Sequence, residues 1–283
     1  MRRLIPVVTA LLVLAACGDD GAATTTSVAG TGAFPADAFG FAASSDLAVG
    51  TERLLVAVSD PNGARLPQPD IPVTIDVWLQ GREFQRQSVA AGFIWAIPDV
   101  SGLYRATFEF DVPGIWVVSV QPQTGAALAD FAIQVQESPQ TVAVGEPAPQ
   151  SDSVTIHDAP LEEITSADHP DPSLYQMSIA EAVTSGRPSV IVFATPKFCQ
   201  TAICGPTLEH ILAIKPEFPE VNFLHVEVFT NLDDPQNIET VPAVIEWGIP
   251  TEPWVFVVDA AGIVVARFEG VVDAAEIAAA LAS

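Results

Sequence analysis

The chain has 283 residues, 49% of them hydrophobic, and its 35 acidic and 11 basic side chains give a formal charge of −24. This composition excludes a wholly disordered protein, and the length predicts two domains. The acidic excess offers no attraction to phosphate backbones, so nucleic acid is not an expected partner. Three cysteines are too few for a disulfide-rich scaffold.

The first 17 residues are typical of a secretory signal. Met1-Arg2-Arg3 is positively charged, Leu4 to Leu14 is apolar, and Leu14-Ala15-Ala16-Cys17 supplies a small-residue cleavage site. These last four residues also resemble a bacterial lipobox, which implies that Cys17 carries a lipid in the mature chain. We therefore expect an extracytoplasmic protein that Cys17 anchors to the bacterial cell membrane, with residues 18–33 as a flexible tether. Disulfides persist in that compartment.

Residues 34–137 are predicted to form an all-β domain. Short segments rich in β-branched and aromatic residues alternate there with Gly, Pro, Asn and Asp turns. The predicted strands are Leu54–Ser59, Val73–Leu79, Leu103–Phe110, Ile115–Val120 and Asp130–Val135. A period of two places Tyr104, Ala106, Phe108 and Phe110 on one buried face. The spacing indicates a small antiparallel sandwich.

The end of this region resembles a known kind of domain. Gly102 to Phe108, followed by Pro113 to Val120, is similar to the end of immunoglobulin-like domains of the YtkA and FixH type. Copper-binding relatives of such sandwiches need His or Met ligands, and residues 34–137 contain neither. We assign this domain no chemistry.

A different pattern follows. Residues 138–172 are rich in proline and are predicted to be a linker and lead-in, and in residues 173–283 helices and strands alternate. The predicted helices are Ile179–Ser185, one from Pro206, a turn at Val241–Trp247, and Asp273–Leu281; the predicted strands are Ser189–Ala194, Val221–Phe229, Trp254–Asp259 and Ile263–Glu269. Ser189–Ala194 is continuously apolar, which is typical of a strand buried on both faces. The order strand, helix, strand, helix, hairpin, helix is that of an α/β thioredoxin fold.

Two segments carry a resemblance to thioredoxin-like proteins. Val190 to Cys199 is similar to their first strand and active-site approach, and Pro253 to Asp259 with Gly262 is similar to their segment of proline, strand, Asp and turn. The resemblance implies that Pro253 follows a cis peptide bond and that its backbone faces the active-site sulfur. It implies no diffusible cofactor and no metal.

The cysteine pair departs from the family pattern. Four residues separate Cys199 from Cys204, where thioredoxins have two. Residues five apart in a regular helix have Cα atoms roughly 8.6 Å from each other, beyond the ~7 Å limit for a disulfide. A bond therefore needs loop geometry, which exists if the helix begins at Pro206. If the helix begins near Gln200, oxidation must unwind its first turn. Many thioredoxins also carry a buried Asp six residues before the first cysteine, and here that position is Phe193.

The sequence thus predicts an anchored thiol–disulfide oxidoreductase that acts on thiols or disulfides of envelope proteins. In this hypothesis Cys199 is the attacking thiolate, because a helix amino terminus lowers the pKa of a thiol, and Cys204 is the resolving thiol.

Three alternatives stay open. The first alternative is a non-catalytic envelope binding module in which the two cysteines form a structural disulfide. Cys-x4-Cys also resembles the cysteines of one peroxiredoxin class, although Thr195 lies four residues before Cys199 and that class has Thr at three. A copper chaperone would combine the cysteines with a histidine, for which the candidates are His157, His169, His210 and His225.

Overall fold

Two β-sheets make up most of the protein in a computed structural model that describes residues 32–282. The predicted signal peptide, the lipid site Cys17 and nearly all of the predicted tether lie outside the described residues. From Gly32 onward the chain packs as one compact unit. Within residues 32–282, no helix has the length and apolar character needed to cross a membrane.

The first sheet has seven antiparallel strands in the order β1-β2-β5-β4-β3-β6-β7. Their bounds are β1 Phe39–Ala42, β2 Gly50–Ser59, β3 Val73–Leu79, β4 Gln87–Ile97, β5 Ser101–Phe110, β6 Gly114–Pro122 and β7 Phe131–Val135, with a short 3-10 helix at Glu83–Gln85. Isolated parallel bridges join Phe39 to Ala129 and Ala48 to Gln136. These bridges bring the two edges of the sheet together, so it is a nearly closed sandwich or barrel.

The five strands predicted in this region are confirmed. In β5 and β7, buried side chains alternate with more exposed ones along part of the strand. Tyr104, Ala106, Phe108 and Phe110 are all buried in one cluster, as the period of two indicates. The Tyr104 hydroxyl donates to the carbonyl of Gln68 at 2.7 Å, so this buried polar group has a partner.

Strands β1 and β4 were not predicted. Strand β4 contains Ala90, Ala91 and Gly92, which are residue types depleted in strands. It forms because β5 and β3 supply hydrogen-bonding partners on its two sides.

The rest of the chain forms helices around a second, four-stranded sheet. In chain order the elements are α1 Leu161–Ile164, α2 Ile179–Thr184, β8 Ser189–Ala194, α3 Cys204–Ile214, β9 Asn222–Glu227, β10 Phe229–Thr230, β11 Glu239–Thr240, α4 Pro242–Glu246, β12 Trp254–Val258, β13 Val264–Glu269 and α5 Ala274–Leu281, with 3-10 turns at Pro172–Leu174 and Lys215–Glu217. Strands β10 and β11 form a small separate hairpin. The predicted strand Val221–Phe229 is therefore split into β9 and β10.

The order of the second sheet is β13-β12-β8-β9. Strands β8 and β9 are parallel, and the other neighbours are antiparallel. Successive residues of β8 belong to the hydrophobic clusters on opposite faces, with Ile191 and Phe193 on one and Val190 and Val192 on the other. The prediction of a strand buried on both faces is confirmed. Helices α2 and α4 cover one face, and α3 and α5 cover the other.

Charged side chains hold the two sheets against each other. Arg267 on β13 donates to Asp46 at 2.7 Å and also pairs with Glu52 of β2, and all three side chains are largely buried. Arg53 of β2 pairs with Glu276 of α5 at 2.6 Å. These ion pairs join the first sheet to β13 and α5.

An apolar contact joins the first sheet to the cysteine loop. Leu55, Ile94 and Leu103 form a small buried cluster with Val271, and Ile203 packs against it. Gly270 lies between them, since a Cβ at that position would stand 3.6 Å from the Cδ1 atoms of both Ile203 and Leu55. The residue before Cys204 therefore rests on the first sheet.

Candidate functional site

The candidate site lies between the end of β8 and the start of α3. Cys199 and Cys204 form a disulfide, with their Cα atoms 6.0 Å apart. Helix α3 begins at Cys204, so the expected start at Pro206 is wrong by two residues. Pro206 is tolerated in the first turn because the N–H groups there have no partner within the helix. Cys199 lies in the preceding loop, which supplies the geometry that the bond needs.

The two sulfurs have different surroundings. Cys204 is fully buried in the core between α3 and the sheet, whereas Cys199 is half-buried. The backbone N–H of Cys204 donates to Sγ of Cys199 at 3.3 Å, and the hydroxyl of Thr201 lies 3.3 Å from the same sulfur. Hydrogen-bond donors at these positions stabilise negative charge on a sulfur.

A carboxylate completes the site. The carboxylate oxygen of Glu252 and the two sulfurs all lie within 4.8 Å of one another. Burial raises the pKa of the Glu252 carboxyl, and the charge of nearby Glu227 raises it further, while the Gln200 N–H that donates to it acts in the opposite direction. Glu252 is thus held against the cysteine loop.

Pro253 follows this carboxylate directly. The Glu252–Pro253 bond is cis, as the resemblance implies, and Pro253 is buried. Its carbonyl accepts the N–H of Gly270 at 2.8 Å. Phe193, six residues before Cys199, contacts the rings of Trp247 and Phe256.

The second carboxylate, Glu227, is buried at the end of β9. It accepts the N–H and the hydroxyl of Ser166, at 2.8 and 2.7 Å, and the N–H of Val228 at 3.1 Å. Ser166 in turn accepts the N–H of Lys197 at 3.2 Å. Glu227 therefore connects the lead-in to the loop that precedes Cys199.

The histidines do not join the cysteines. His225 is buried, and its Nε2 lies 3.0 Å from the carbonyl of Ala194, which can only accept. Its Nδ1 therefore accepts a hydrogen bond from the Tyr175 hydroxyl at 2.7 Å. Burial raises the pKa of Tyr175 to about 12, so the hydroxyl keeps the proton that it donates. Among residues 32–282, one group of three His, Cys, Asp or Glu side chains has its ligand atoms close enough together to hold a metal ion, and that group contains no histidine.

Neither a protein-family model nor a curated protein sequence matches the chain.

Glu252 was missed by the sequence reasoning, and one signal for it exists. It stands immediately before Pro253, the residue that the resemblance places beside the sulfur. A groove of about 460 Å³ passes Glu252 and is lined by Phe229, Ile245 and Pro250.

Proposed function

We propose that this protein is an extracytoplasmic thiol–disulfide oxidoreductase. Cys199 is the attacking sulfur, Cys204 is the resolving sulfur, and Pro253 lines the site. The observation that carries the proposal is the unequal exposure of the disulfide, with one half-buried sulfur and one fully buried sulfur at the start of a helix. An incoming thiolate meets Cys199 first.

The exchange runs in two steps. A substrate thiolate attacks Sγ of Cys199, a substrate–Cys199 bond forms, and Cys204 leaves as a thiolate that takes a proton. A second substrate thiolate then attacks the substrate sulfur, so the substrate gains a disulfide and Cys199 leaves as a thiolate. The substrate loses two electrons and the cysteine pair gains them. The reverse sequence reduces a substrate disulfide.

The secondary structure supports the thioredoxin-like resemblance. The elements around the second sheet follow the order that the resemblance implies, from β8 through α3, β9 and α4 to the β12–β13 hairpin and α5. The cysteine loop and the Glu252–Pro253 turn come from separate parts of the chain and meet at one end of this sheet. The nearly closed seven-stranded sheet is similarly the basis for proposing an immunoglobulin-like first domain.

A redox titration tests the proposal. We expect the Cys199–Cys204 pair to have a reduction potential well above about −300 mV, which separates exchangeable pairs from inert structural bridges. The titration uses the mature full chain, and free thiols are counted at each potential. A potential below that value contradicts the proposal.

Trapping identifies the attacking sulfur. In Cys204→Ser, the Cys199 thiolate attacks a peptide that contains a disulfide, and no Cys204 thiol is present to release the product, so a mixed disulfide between Cys199 and the peptide accumulates. Cys199→Ser is the matched control and accumulates none. Equal trapping by both variants contradicts the assignment of roles.

One observation favours a second candidate, a binding module with a structural disulfide. Cys204 is fully buried, and Phe193 leaves the family's acid position apolar. A bond that resists mild reductant in the folded chain supports that alternative.

Residues 1–17 support the proposed membrane anchor, because a lipobox cysteine becomes the lipidated amino terminus. Mass spectrometry of the mature protein tests this: a diacylglycerol on Cys17 is expected, and an unmodified amino terminus contradicts it.

A further inference from the structure

The cluster of Cys199, Cys204 and Glu252 holds two sulfurs and one oxygen. Tetrahedral zinc has bonds of about 2.3 Å to sulfur and about 2.0 Å to oxygen, which places its ligand atoms about 3.5 to 3.8 Å apart. The three donor atoms lie within 4.8 Å of one another, and the Cα atoms of the cysteines are 6.0 Å apart. Small side-chain rotations therefore suffice to form a zinc site when the sulfur–sulfur bond is open.

The backbone already orients these ligands. Cys204 is fixed by the first turn of α3, and its N–H donates to Cys199. Glu252 accepts the N–H of Gln200. Hydrogen bonds to ligand atoms fix their orientation in metal sites, and here they are present before any metal binds.

The charge of the cluster also favours a cation. Within residues 32–282, Glu252 forms no ion pair with Lys, Arg or His. A half-buried carboxylate without a counter-ion can be neutralised by a divalent cation.

We propose that reduction of the Cys199–Cys204 bond creates a binding site for a zinc-like divalent cation, with both thiolates and the Glu252 carboxylate as ligands and water in the fourth position. A dithiol reductant supplies two electrons and two protons and becomes a disulfide. Metal binding then displaces the protons still held by the ligands. When a substrate disulfide takes two electrons from the pair and two protons from solvent and becomes a dithiol, the Cys199–Cys204 bond forms again and the metal is expelled.

The carboxylate distinguishes zinc from cuprous copper. Cuprous copper prefers soft sulfur ligands, whereas zinc readily combines sulfur with a carboxylate oxygen. Loss of Glu252 should therefore weaken zinc binding and leave cuprous copper binding to the two sulfurs unchanged.

Cobalt provides the spectroscopic probe. The mature full chain is reduced, freed of reductant without oxygen, and titrated with Co²⁺, which is then displaced by Zn²⁺. We expect one cobalt per reduced chain with a thiolate-to-cobalt charge-transfer band, and none in the oxidised chain. Absence of that band, or equal binding by the oxidised chain, overturns the proposal.

Variants of Glu252 test the third ligand. Glu252→Gln should weaken zinc binding at least about tenfold, since losing even an outer-shell partner has that effect. Glu239→Gln, which changes an exposed carboxylate on β11, should leave it unchanged. Equal zinc affinities in Glu252→Gln and the unmodified chain overturn the proposal. If Glu252→Gln does not fold, Glu252→His should keep the metal with an altered cobalt spectrum, and an unaltered spectrum overturns it.

The inference rests on the proposed function in one respect, since both need a bond that opens in the folded chain. Exchange activity measured with a chelator separates the two. Exchange without metal binding overturns the metal site alone, and metal binding without exchange overturns only the oxidoreductase. A bond that cannot be reduced in the folded chain overturns both.

Discussion

The short loop closed by the Cys199–Cys204 bond sets how much stability the chain loses on reduction. The cysteines are five positions apart, so the bond closes a loop of six residues. The chain-entropy relation for a loop of that length gives about 2 kcal/mol at 25 °C. Domains have a free energy of unfolding of about 5 to 15 kcal/mol. We therefore expect the reduced chain to stay folded.

The environment of Cys204 supports the same expectation. It lies in a hydrophobic cluster with Leu208 and Ile211, and an uncharged thiol packs there as a small apolar group. Reduction thus places no unpaired charge in the core.

Urea unfolding of the oxidised and reduced chains measures the difference. We expect the reduced chain to lose about 2 kcal/mol, with the slope of the transition nearly unchanged. The double variant Cys199→Ala/Cys204→Ala is the control, because reductant should not alter its transition. If reduction unfolds the chain outright, the bond is a structural requirement and the exchange cycle has no folded reduced state.

Two further predictions concern the folded framework. Arg267→Met should lower the free energy of unfolding by about 3 to 5 kcal/mol, because it leaves buried Asp46 without its cationic partner. The control Arg187→Met, which removes an exposed ion pair, should lower it by about 1 kcal/mol or less. Equal losses for the two variants in urea unfolding would contradict this prediction. Burial lowers the pKa of His225 below its usual 6.5, so below about pH 6.5 the unfolded chain binds a proton at this residue more readily than the folded chain does. The free energy of unfolding therefore decreases below about pH 6.5, by up to about 1.4 kcal/mol per pH unit. His225→Gln should flatten this dependence between about pH 6.5 and 5, and His169→Gln, at an exposed site, should not.

The strands that could be predicted are those whose own residues indicate burial. Alternation marks β5, and a continuous apolar run marks β8. Strand β4 has small and polar residues, and its existence depends on partners that are distant in sequence. No local pattern describes such a strand.

The candidate site was predictable in part for the same reason. The cysteine spacing and the resemblance indicated Cys199, Cys204 and Pro253. The contact between Glu252 and the sulfurs depends on how the turn before β12 meets the loop before α3, which is a matter of tertiary structure. The early start of α3 likewise escaped prediction, because Gly205 and Pro206 are typical of a loop.

Ile203, in the turn between the two sulfurs, packs against a cluster that includes Leu55, Ile94 and Leu103 of the first sheet. In the proposed exchange reaction, the first sheet therefore supports the turn that carries the reacting sulfurs. If the carboxy-terminal half were fused to another protein, it would keep both cysteines and lose the contact between Ile203 and the first sheet. The substitution Leu103→Ala would weaken the packing around this turn and leave Cys199 and Cys204 unchanged.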